Sequence, residues 1–567
     1  LVLLILTGLA AALRFYKLGE LPPGFHFDEA YNGLDAALIL SGDRPLFLPA
    51  NSGREVAYSY YQAALAALLG LDRYTLRLAS ALAGIATIPA GYLLLRTLLR
   101  RHSRAVAAFA MTTMAVSLWH IHFSHYGIRI ITIPLIYSGL FGSFWLGVQA
   151  AVPWRGGLAF GLSGLLAGLA VWTHPSGRLT PVVLLAFVAY LLLRKPAVET
   201  NDGRMHRWQP IIGLAITGGV SFLVFLPLGL HFLDHPEFFL SHAGDVSIFN
   251  PAVGGPSPLR TALENTLRVA GMFTVRGAAS WTHNFYGRPV FDPFLAIPFL
   301  IGVALWARRL FSRRDADRDA LVLLAYWALT MLATSVLSDD APDFSRTTAS
   351  QPAIFTAVGL GLTWIMLALN RRRARLGTAV AAVLLVIGGV WAAYDYFVRF
   401  PRHIEEYYTL YSVDKIEAIE SLTAMADDED WLYLSEPWQG NYRIERFFAP
   451  TRFLADAYDI NYLDIKDTIV LPPVGQGALY AFPRDRRDRA ERLAALWPDV
   501  HVQKIQDRFG NDLLWAVDVD VEQMEGWPPG LQPDEAMAIG FEEGPTLRGV
   551  GVEGDTLRLY WQADAPI

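Results

Sequence analysis

Residues 77–99 read RLASALAGIATIPAGYLLLRTLL, and this stretch sets the fold class. Arg77 and Arg96 are its only charged residues. An apolar run of about 20 residues is long enough to cross the roughly 30 Å hydrocarbon core of a bilayer as a helix. Arg100 and Arg101 follow directly, as is typical of the cytoplasmic end of a span. The stretch therefore predicts a transmembrane helix.

Runs of the same kind recur through the first 400 residues. Their lengths place further spans near 105–121, 130–150, 157–173, 178–193, 211–233, 291–307, 320–337, 352–369 and 377–398. One more apolar run, at the N-terminus, ends early at Arg14, so we expect the sequence to begin inside the first span. About eleven spans predict a mainly α, polytopic membrane helix bundle.

Composition agrees with a membrane body followed by a water-facing tail. The 567 residues are 53% hydrophobic and 18% charged, and their net charge of -6 averages two unlike parts. Residues 401–567 hold 15 basic and 32 acidic side chains, whereas residues 1–400 hold 32 and 21. This pattern excludes a nucleic-acid binder and a disordered protein. The absence of cysteine excludes disulfides and thiol chemistry.

The sidedness of the spans depends on residues 58–71, which are apolar but short. If this segment lies along the membrane surface, the arginine-rich turns that begin at Arg100, Arg194, Arg308 and Arg371 all fall on one side, which is then the cytoplasm. We therefore expect a multi-pass plasma membrane protein of prokaryotic type. Its outer face would carry loops 17–76 and 234–290, the turns 122–129, 174–178 and 338–351, and the tail.

The first outer loop contains a candidate catalytic pair. Residues 18–41 read LGELPPGFHFDEAYNGLDAALILS, in which Asp28 and Glu29 stand at the start of a predicted amphipathic helix. Asp28 could simply be the N-cap of that helix, with Glu29 complementing the helix dipole. Carboxylates at a membrane boundary are costly, however, and a raised pKa there would suit a general base. Both interpretations remain open at this point.

A family resemblance adds to this interpretation. The runs PPGFHFDEA, GRE, YxxQAA, LRLASALAG at 76–84 and WHIHFSHYGIRI at 119–130 resemble membrane glycosyltransferases of the protein O-mannosyltransferase and aminoarabinose transferase superfamily. The resemblance covers residues 1 to about 400. It implies the GT-C fold, a sugar donor on a polyprenyl phosphate carrier, and an acceptor that is a protein, lipid or glycan. It also implies that Asp28, beside Glu29, deprotonates the acceptor.

Such a transfer needs a base on the acceptor side and cations on the phosphate leaving group. The candidate donor-phosphate ligands on the outer face are Arg54, Arg129, Arg178 and Arg346. The alternative role for such arginines is snorkelling to lipid headgroups. Arg346 lies in SDDAPDFSRTTASQP, a turn that is too polar to be a simple connector.

Further polar residues of the outer face are candidate acceptor or sugar contacts, namely Glu55, His125, His174, His283 and Asn284. His122 and His125 could share one side of a helix, but nothing near them has metal-ligand spacing. No metal site and no cofactor are expected. Some relatives of the fold use a divalent metal, but the D-x-D pattern that we would require is missing.

The predicted domains are 1–399, a transmembrane glycosyltransferase domain; 400–530, a small extracytoplasmic α/β domain; and 531–567, the start of a truncated β domain. The α/β domain has no motif of its own chemistry. Two rival functions are a multi-span transporter and a non-catalytic scaffold that presents the tail. Few charged residues lie deep in the spans and no inverted repeat of broken helices is evident, which disfavours a transporter.

Overall fold

A computed structural model describes residues 1–51, 53–194, 208–255, 257–426, 431–435, 450, 453–454, 460–463, 469–473, 475–524, 528, 531–540, 546–553 and 556–562. The chain forms two compact units, Leu1–Tyr411 and Ser412–Ile567. The first unit is almost entirely helical, and the second contains both larger β-sheets. Each unit is described by itself.

The first unit is built from α-helices and one small hairpin. Its helices are α1 Val2–Phe15, α2 Phe27–Leu40, α3 Ala57–Leu69, α4 Arg73–Leu98, α5 Ser103–Val116, α6 Leu118–His125, α7 Thr132–Gln149, α8 Pro153–Thr173, α9 Thr180–Leu193, α10 Gln209–Asp234, α11 Glu237–Asp245, α12 Pro251–Gly254, α13 Pro258–Gly271, α14 Pro293–Phe311, α15 Arg318–Val336, α16 Phe344–Thr347, α17 Gln351–Asn370, α18 Leu376–Tyr394, α19 Phe400–Arg402 and α20 Ile404–Tyr407. The hairpin pairs β1 Phe47–Leu48 with β2 Arg54–Glu55.

Nine of the described helical segments are long and apolar enough to cross a membrane, and α5 and α6 form a tenth candidate that bends by 56°. These segments coincide with the ten spans predicted after the first one. The N-terminal helix α1 is apolar but shorter. The helix α3 has 13 residues, which is too short for a span. The predicted polytopic helix bundle is confirmed.

The bend between α5 and α6 is held by a buried arginine. At Ser117 the backbone is extended, so the last carbonyls of α5 lose their helical partners. Arg14, at the end of α1, donates from Nη1 to the Ala115 carbonyl at 2.6 Å and lies with Nη2 2.7 Å from Nδ1 of His120. The Arg14 side chain is fully buried. It thereby ties the first helix to the broken span.

Polar contacts gather at two separate ends of the bundle. At one end, Asp317 accepts hydrogen bonds from the backbone N–H groups of Arg100 and Arg101 and pairs with Arg309. At the other end, Glu55 pairs with both Arg129 and Arg178. The turns that begin at Arg100 and Arg308 therefore meet, as predicted for two of the four arginine-rich turns, and which side of the membrane is cytoplasmic stays a prediction.

The sequence predicts that α2 lies on the outer leaflet, with Ala30 and Leu38 on its apolar side and Asn32 and Asp35 on its polar side, but the structure buries this polar side. Leu38 is 41% exposed, whereas Asn32 and Asp35 are buried. Asn32 donates to the Gly127 carbonyl and accepts from Arg54, which also pairs with Asp35. These polar partners draw the hydrophilic side of α2 inward, so the predicted surface helix turns its polar face toward the interior of the unit.

The second unit contains two small sheets. One has the order β4-β3-β5-β7-β6, with β3 parallel to β4 and β5 and the remaining pairs antiparallel. The other is the antiparallel sheet β10-β9-β8. The elements are α21 Val413–Met425, β3 Trp431–Ser435, β4 Asn461–Leu463, β5 Ala478–Pro483, α22 Arg487–Ala494, β6 Val502–Gln506, β7 Asp512–Val519, β8 Glu535–Gly540, β9 Thr546–Glu553 and β10 Thr556–Gln562.

Candidate active site

The N-terminus of α2 is capped by a histidine. The side chain of His26 accepts a hydrogen bond from the backbone N–H of Asp28 at 3.2 Å, and Glu29 accepts one from the backbone N–H of His26 at 3.1 Å. This reciprocal arrangement is a capping box, with a histidine in the place of the usual serine or threonine. The interpretation of Asp28 as the N-cap is therefore wrong, and its carboxylate is free for other contacts.

Glu29 is a structural residue. Its carboxylate is fully buried and accepts bonds from Nε and Nη2 of Arg77 and from the backbone N–H groups of His26 and Gly127. Burial raises the pKa of Glu29, but Arg77 and these donors lower it by more, so its pKa lies below the ordinary value. A carboxylate with four donors and no exposure cannot meet a substrate. The catalytic role of Glu29 stays a prediction, and these contacts favour a structural role instead.

Asp28, in contrast, is reachable. Its side chain is 28% exposed. Asn51 donates from Nδ2 to Oδ1 at 2.6 Å, and the Tyr126 hydroxyl donates to Oδ2 at 3.3 Å. Nδ1 of His26 lies 3.5 Å from Oδ2 and 2.5 Å from the same tyrosine hydroxyl. The carboxylate is therefore held by hydrogen bonds from Asn51 and Tyr126, and its side chain remains partly exposed.

The charge state of Asp28 differs from our expectation. Burial raises the pKa of the Asp28 carboxyl, but His26, Asn51 and Arg54 lower it by more, and the net pKa lies below the ordinary value. The expected raised pKa is therefore wrong. A lowered pKa keeps the carboxylate ionised at neutral pH, which is the form that accepts a proton.

Beside Asp28, one carboxylate holds two guanidinium groups. Oε2 of Glu55 lies 2.8 Å from Nη1 of Arg129, and Oε1 lies 2.7 Å from Nη2 of Arg178. The Glu55 side chain is 1% exposed, and those of Arg129 and Arg178 are 14% and 18% exposed. Arg129 is close enough to Asp28 for a direct electrostatic interaction. The triad carries a net charge of +1 and presents part of both arginines to the outside.

Arg178 is also positioned by aromatic rings. Its guanidinium lies 5.3 Å from the ring centre of Phe232 and 4.7 Å from that of Phe239, and it donates to the Phe239 carbonyl. Contacts of this kind orient a guanidinium while leaving its charge available. Arg178 thus connects the turn before α9 with α10 and α11.

Arg54 belongs to the same region but is buried. Its Nη1 pairs with Asp35 at 2.6 Å and donates to Asn32 at 2.9 Å, and its guanidinium lies 5.2 Å from the ring centre of Tyr31. Burial raises the pKa of Asp35 above its ordinary value in spite of Arg54. The Nη2 atom of Arg54 is buried and has no hydrogen-bond partner among the described residues.

A cavity of about 410 Å³ lies between α3, α4, α7 and α8. Its lining is mostly apolar and includes Tyr61, Leu82, Leu135 and Leu169. Ala57 and Thr132, which also line it, follow Glu55 and Arg129 closely in the chain. An apolar cavity therefore adjoins the charged triad.

His283 and Asp343 form a second polar pair near Asp28. Nδ1 of His283 lies 3.3 Å from Oδ1 of Asp343, and Asp343 also approaches Arg346, with its Oδ2 3.5 Å from Nε. Arg346 makes its closer pair with Asp339, at 2.7 Å. Burial lowers the pKa of His283, but Asp343 and Asp28 raise it by more, so the net pKa lies above the ordinary value. The predicted Arg346 is thus engaged by two acidic residues.

Three of the predicted contact residues have structural partners within the first unit. His125 is fully buried, with Nε2 3.2 Å from the Leu13 carbonyl. The side chain of His174 accepts from the backbone N–H of Ser176 and caps a turn. Asn284 donates to two carbonyls of its own loop. These contacts do not place the three side chains around Asp28.

The sequence interpretation missed three residues that lie around Asp28, namely His26, Asn51 and Tyr126, and it missed Asp343, which pairs with His283. His26 and Tyr126 stand inside the motifs that were considered, but their contacts join segments far apart in the chain. Asp343 lies in the polar turn that drew attention to Arg346. Among the described residues, no group of three acidic or histidine side chains is arranged to hold a metal ion.

Comparison with known proteins relates most of the chain to solved structures. ArnT from Cupriavidus metallidurans in the apo state superposes with a TM-score of 0.52 at 16% identity, over 92% of this chain and 98% of that chain. The same protein bound to undecaprenyl phosphate gives a TM-score of 0.50 at 15% identity, with the same coverage. The oligosaccharyltransferase AglB from Archaeoglobus fulgidus gives 0.49 at 14% identity, over 93% and 77%.

No protein-family profile matches the chain, and no curated protein matches its sequence significantly. At identities this low, structural likeness establishes the fold alone. The likeness to ArnT extends over almost the whole length of both chains and agrees with the resemblance noted in the sequence. The chain is a polytopic membrane protein with the GT-C fold.

Proposed function

We propose that this protein is an integral membrane glycosyltransferase, which moves a sugar from a polyprenyl-phosphate donor to a protein, lipid or glycan acceptor on the extracytoplasmic face. Asp28 is the general base. The observation that carries the proposal is the placement of one accessible, ionised carboxylate beside an arginine pair and an apolar cavity. These are the parts that transfer from a lipid phosphate requires.

The donor side of the site suits a lipid phosphate. Arg129 and Arg178 offer guanidinium groups to a phosphate, for which planar bidentate donors are well matched. The cavity between α3, α4, α7 and α8 can take an apolar chain within the membrane. ArnT, whose fold this chain shares, has been solved with undecaprenyl phosphate bound, which supports this class of ligand.

The acceptor side suits Asp28. The carboxylate takes the proton of the acceptor hydroxyl as the acceptor oxygen attacks the anomeric carbon. The bond between that carbon and the phosphate oxygen breaks, and its electron pair stays on the phosphate. Because a phosphate leaves as an anion, cations stabilise the departing charge and no acid is needed.

The test is transfer of a radiolabelled sugar from synthetic polyprenyl-phosphate sugars by the purified protein in detergent. We expect Asp28→Asn to lower the rate by at least about 100-fold, the usual contribution of general-base catalysis. Asp43→Asn, in the same loop, is the matched control and should transfer at the wild-type rate. Full activity of Asp28→Asn would contradict the base assignment. Absence of transfer by the wild-type protein with every donor would favour a transporter or a scaffold.

A further inference from the structure

The proposed reaction leaves one proton on Asp28 at every turnover, and this proton must depart before the next. We propose that His283, oriented by Asp343, is the proton relay that receives it and releases it to water. The inference rests on the proposed function. It assigns a defined chemical role to the His283–Asp343 pair, whose histidine ring lies near Tyr126, the tyrosine that donates to Asp28.

The pair has the geometry of an oriented base. Asp343 holds Nδ1 of His283 at 3.3 Å, which leaves Nε2 as the nitrogen available for proton exchange. Nε2 has no hydrogen-bond partner among the described residues, and the His283 side chain is 20% exposed. An imidazole fixed at one nitrogen by a buried carboxylate, with its other nitrogen accessible, is the arrangement that enzymes use for proton transfer.

Hydrogen bonds to the neighbouring backbone position both members of the pair. The carbonyl of Thr282, next to His283, accepts hydrogen bonds from Nε2 of His122 at 2.8 Å and from the Tyr411 hydroxyl at 2.7 Å. Trp119 donates from Nε1 to the carbonyl of Phe344, next to Asp343, at 3.0 Å. Two separate anchors therefore fix the loop and the turn that carry the pair, which favours a role that needs exact position.

His283 and Asp28 are neighbours across Tyr126. The ring centres of His283 and Tyr126 lie 6.4 Å apart, and the Tyr126 hydroxyl donates to Asp28. The two groups interact electrostatically, since the charge of each favours the charged form of the other. When Asp28 takes up a proton it loses its negative charge, and the proton affinity of His283 falls with it.

The charged and titratable groups that interact with His283 come from three elements. The 338–351 turn supplies Asp340, Asp343 and Arg346, α6 supplies His122, and α2 supplies Asp28. The proton balance is simple. The acceptor hydroxyl proton passes to Asp28, then to Nε2 of His283, and then to water. The products are the glycoside, the lipid phosphate and one released proton.

The first experiment measures the coupling without turnover. Histidine labelled with ¹³C at Cε1 is titrated by NMR in detergent, and His283→Gln identifies the signal of His283. We expect the wild-type pKa of His283 to lie above 6.5. It should fall in Asp343→Asn and also in Asp28→Asn. Glu237→Gln, which disrupts the exposed pair His235–Glu237, is the control and should not change it. An unchanged His283 pKa in Asp28→Asn would overturn the relay.

The second experiment measures transfer. Because His283 must be neutral to accept a proton, the wild-type rate should fall as the pH decreases through the pKa of His283. In His283→Ala the rate should no longer fall at acidic pH in this way, and it should be about 100-fold lower than that of the wild-type protein. Added imidazole should raise the transfer rate of His283→Ala at least tenfold. It should not change the rate of the control His235→Ala. A slow His283→Ala that imidazole cannot rescue, or a fully active one, overturns the relay. If the wild-type protein itself transfers nothing, the proposed function fails, and the titration still decides whether the two groups are coupled.

Discussion

Asn51, in the turn between β1 and β2, donates a 2.6 Å hydrogen bond to the carboxylate of Asp28. The backbone of Asn51 is left-handed, with φ of 53°, a conformation that asparagine tolerates better than most residues. The residue is therefore suited to this position in both backbone and side chain. It holds the proposed base in its ionised form.

Replacement of Asn51 tests this relationship. In Asn51→Ala the lost bond should raise the pKa of Asp28, because the Asn51 amide is among the groups that lower it. The rate should fall by about tenfold, as expected for one hydrogen bond to a charged group, and the loss of activity on acidification should begin at a higher pH. Asn250→Ala, at a distant turn cap, is the control. An unchanged pH profile would separate Asn51 from the ionisation of Asp28.

Arg129 and Arg178 should determine donor affinity. Because each presents part of its guanidinium to the outside, Arg129→Gln and Arg178→Gln should each raise the KM for a polyprenyl-phosphate donor by about tenfold, the equivalent of about 1.4 kcal/mol. The KM for the acceptor should change little. Arg260→Gln, which removes an 80% exposed side chain, serves as the control. Equal effects on donor and acceptor would argue against phosphate binding.

Glu29 should matter for stability. Glu29→Gln keeps the shape of the side chain but leaves Arg77 buried without its counter-charge, which should cost about 3 kcal/mol. The measurement is thermal unfolding in detergent. Glu20→Gln removes a 69% exposed partner of Lys17 and should cost about 0.5 kcal/mol or less. Similar melting of the two variants would contradict the structural role.

The same residue predicts a pH dependence of stability. The pKa of Glu29 is lower in the folded protein than its ordinary value. The contribution of Glu29 to the free energy of unfolding should therefore be complete above the ordinary pKa of glutamate. It should be lost as the pH falls through the lowered pKa of Glu29. Glu29→Gln should flatten that part of the profile, which unfolding measured across acidic pH would reveal.

The sidedness of the membrane body can be tested directly, since the chain has no cysteine. Ser41 and Ser312 are both exposed, the first at the end of α2 and the second in the turn between α14 and α15. Single cysteines at these positions should react with a membrane-impermeant maleimide from opposite sides, Ser41→Cys from outside. Labelling of both from one side would invalidate the predicted topology.

The spans could be predicted from the sequence because the bilayer imposes a length and a polarity that any apolar run must satisfy. The helix α2 could not be read in the same way. Its periodicity indicates a polar face turned to water, but Asn32 and Asp35 are satisfied inside by Gly127 and Arg54. Periodicity shows which residues share a face, and it cannot show what that face meets.

Only part of the site can be predicted from the sequence, because many of its contacts join distant segments of the chain. Asp28 was identified by its motif and its place in the first outer loop, whereas Glu29 looked equivalent until Arg77 was seen to bury it. The pairing of Glu55 with Arg129 and Arg178 joins three segments of the chain and has no sequence pattern. Residues that act through such long-range contacts become visible only when the fold brings them together.

The buried Arg14 has a consequence for biogenesis. In the finished protein its partners are Ala115 and His120, and the latter lies 106 residues further along the chain. During synthesis α1 meets the translocon long before α5 and α6 exist. An arginine in a lipid-facing helix costs up to about 3 kcal/mol at the helix centre and less toward its end. We therefore expect α1 to insert with an unpaired arginine, which gains its hydrogen-bond partners only after α5 and α6 have been synthesised.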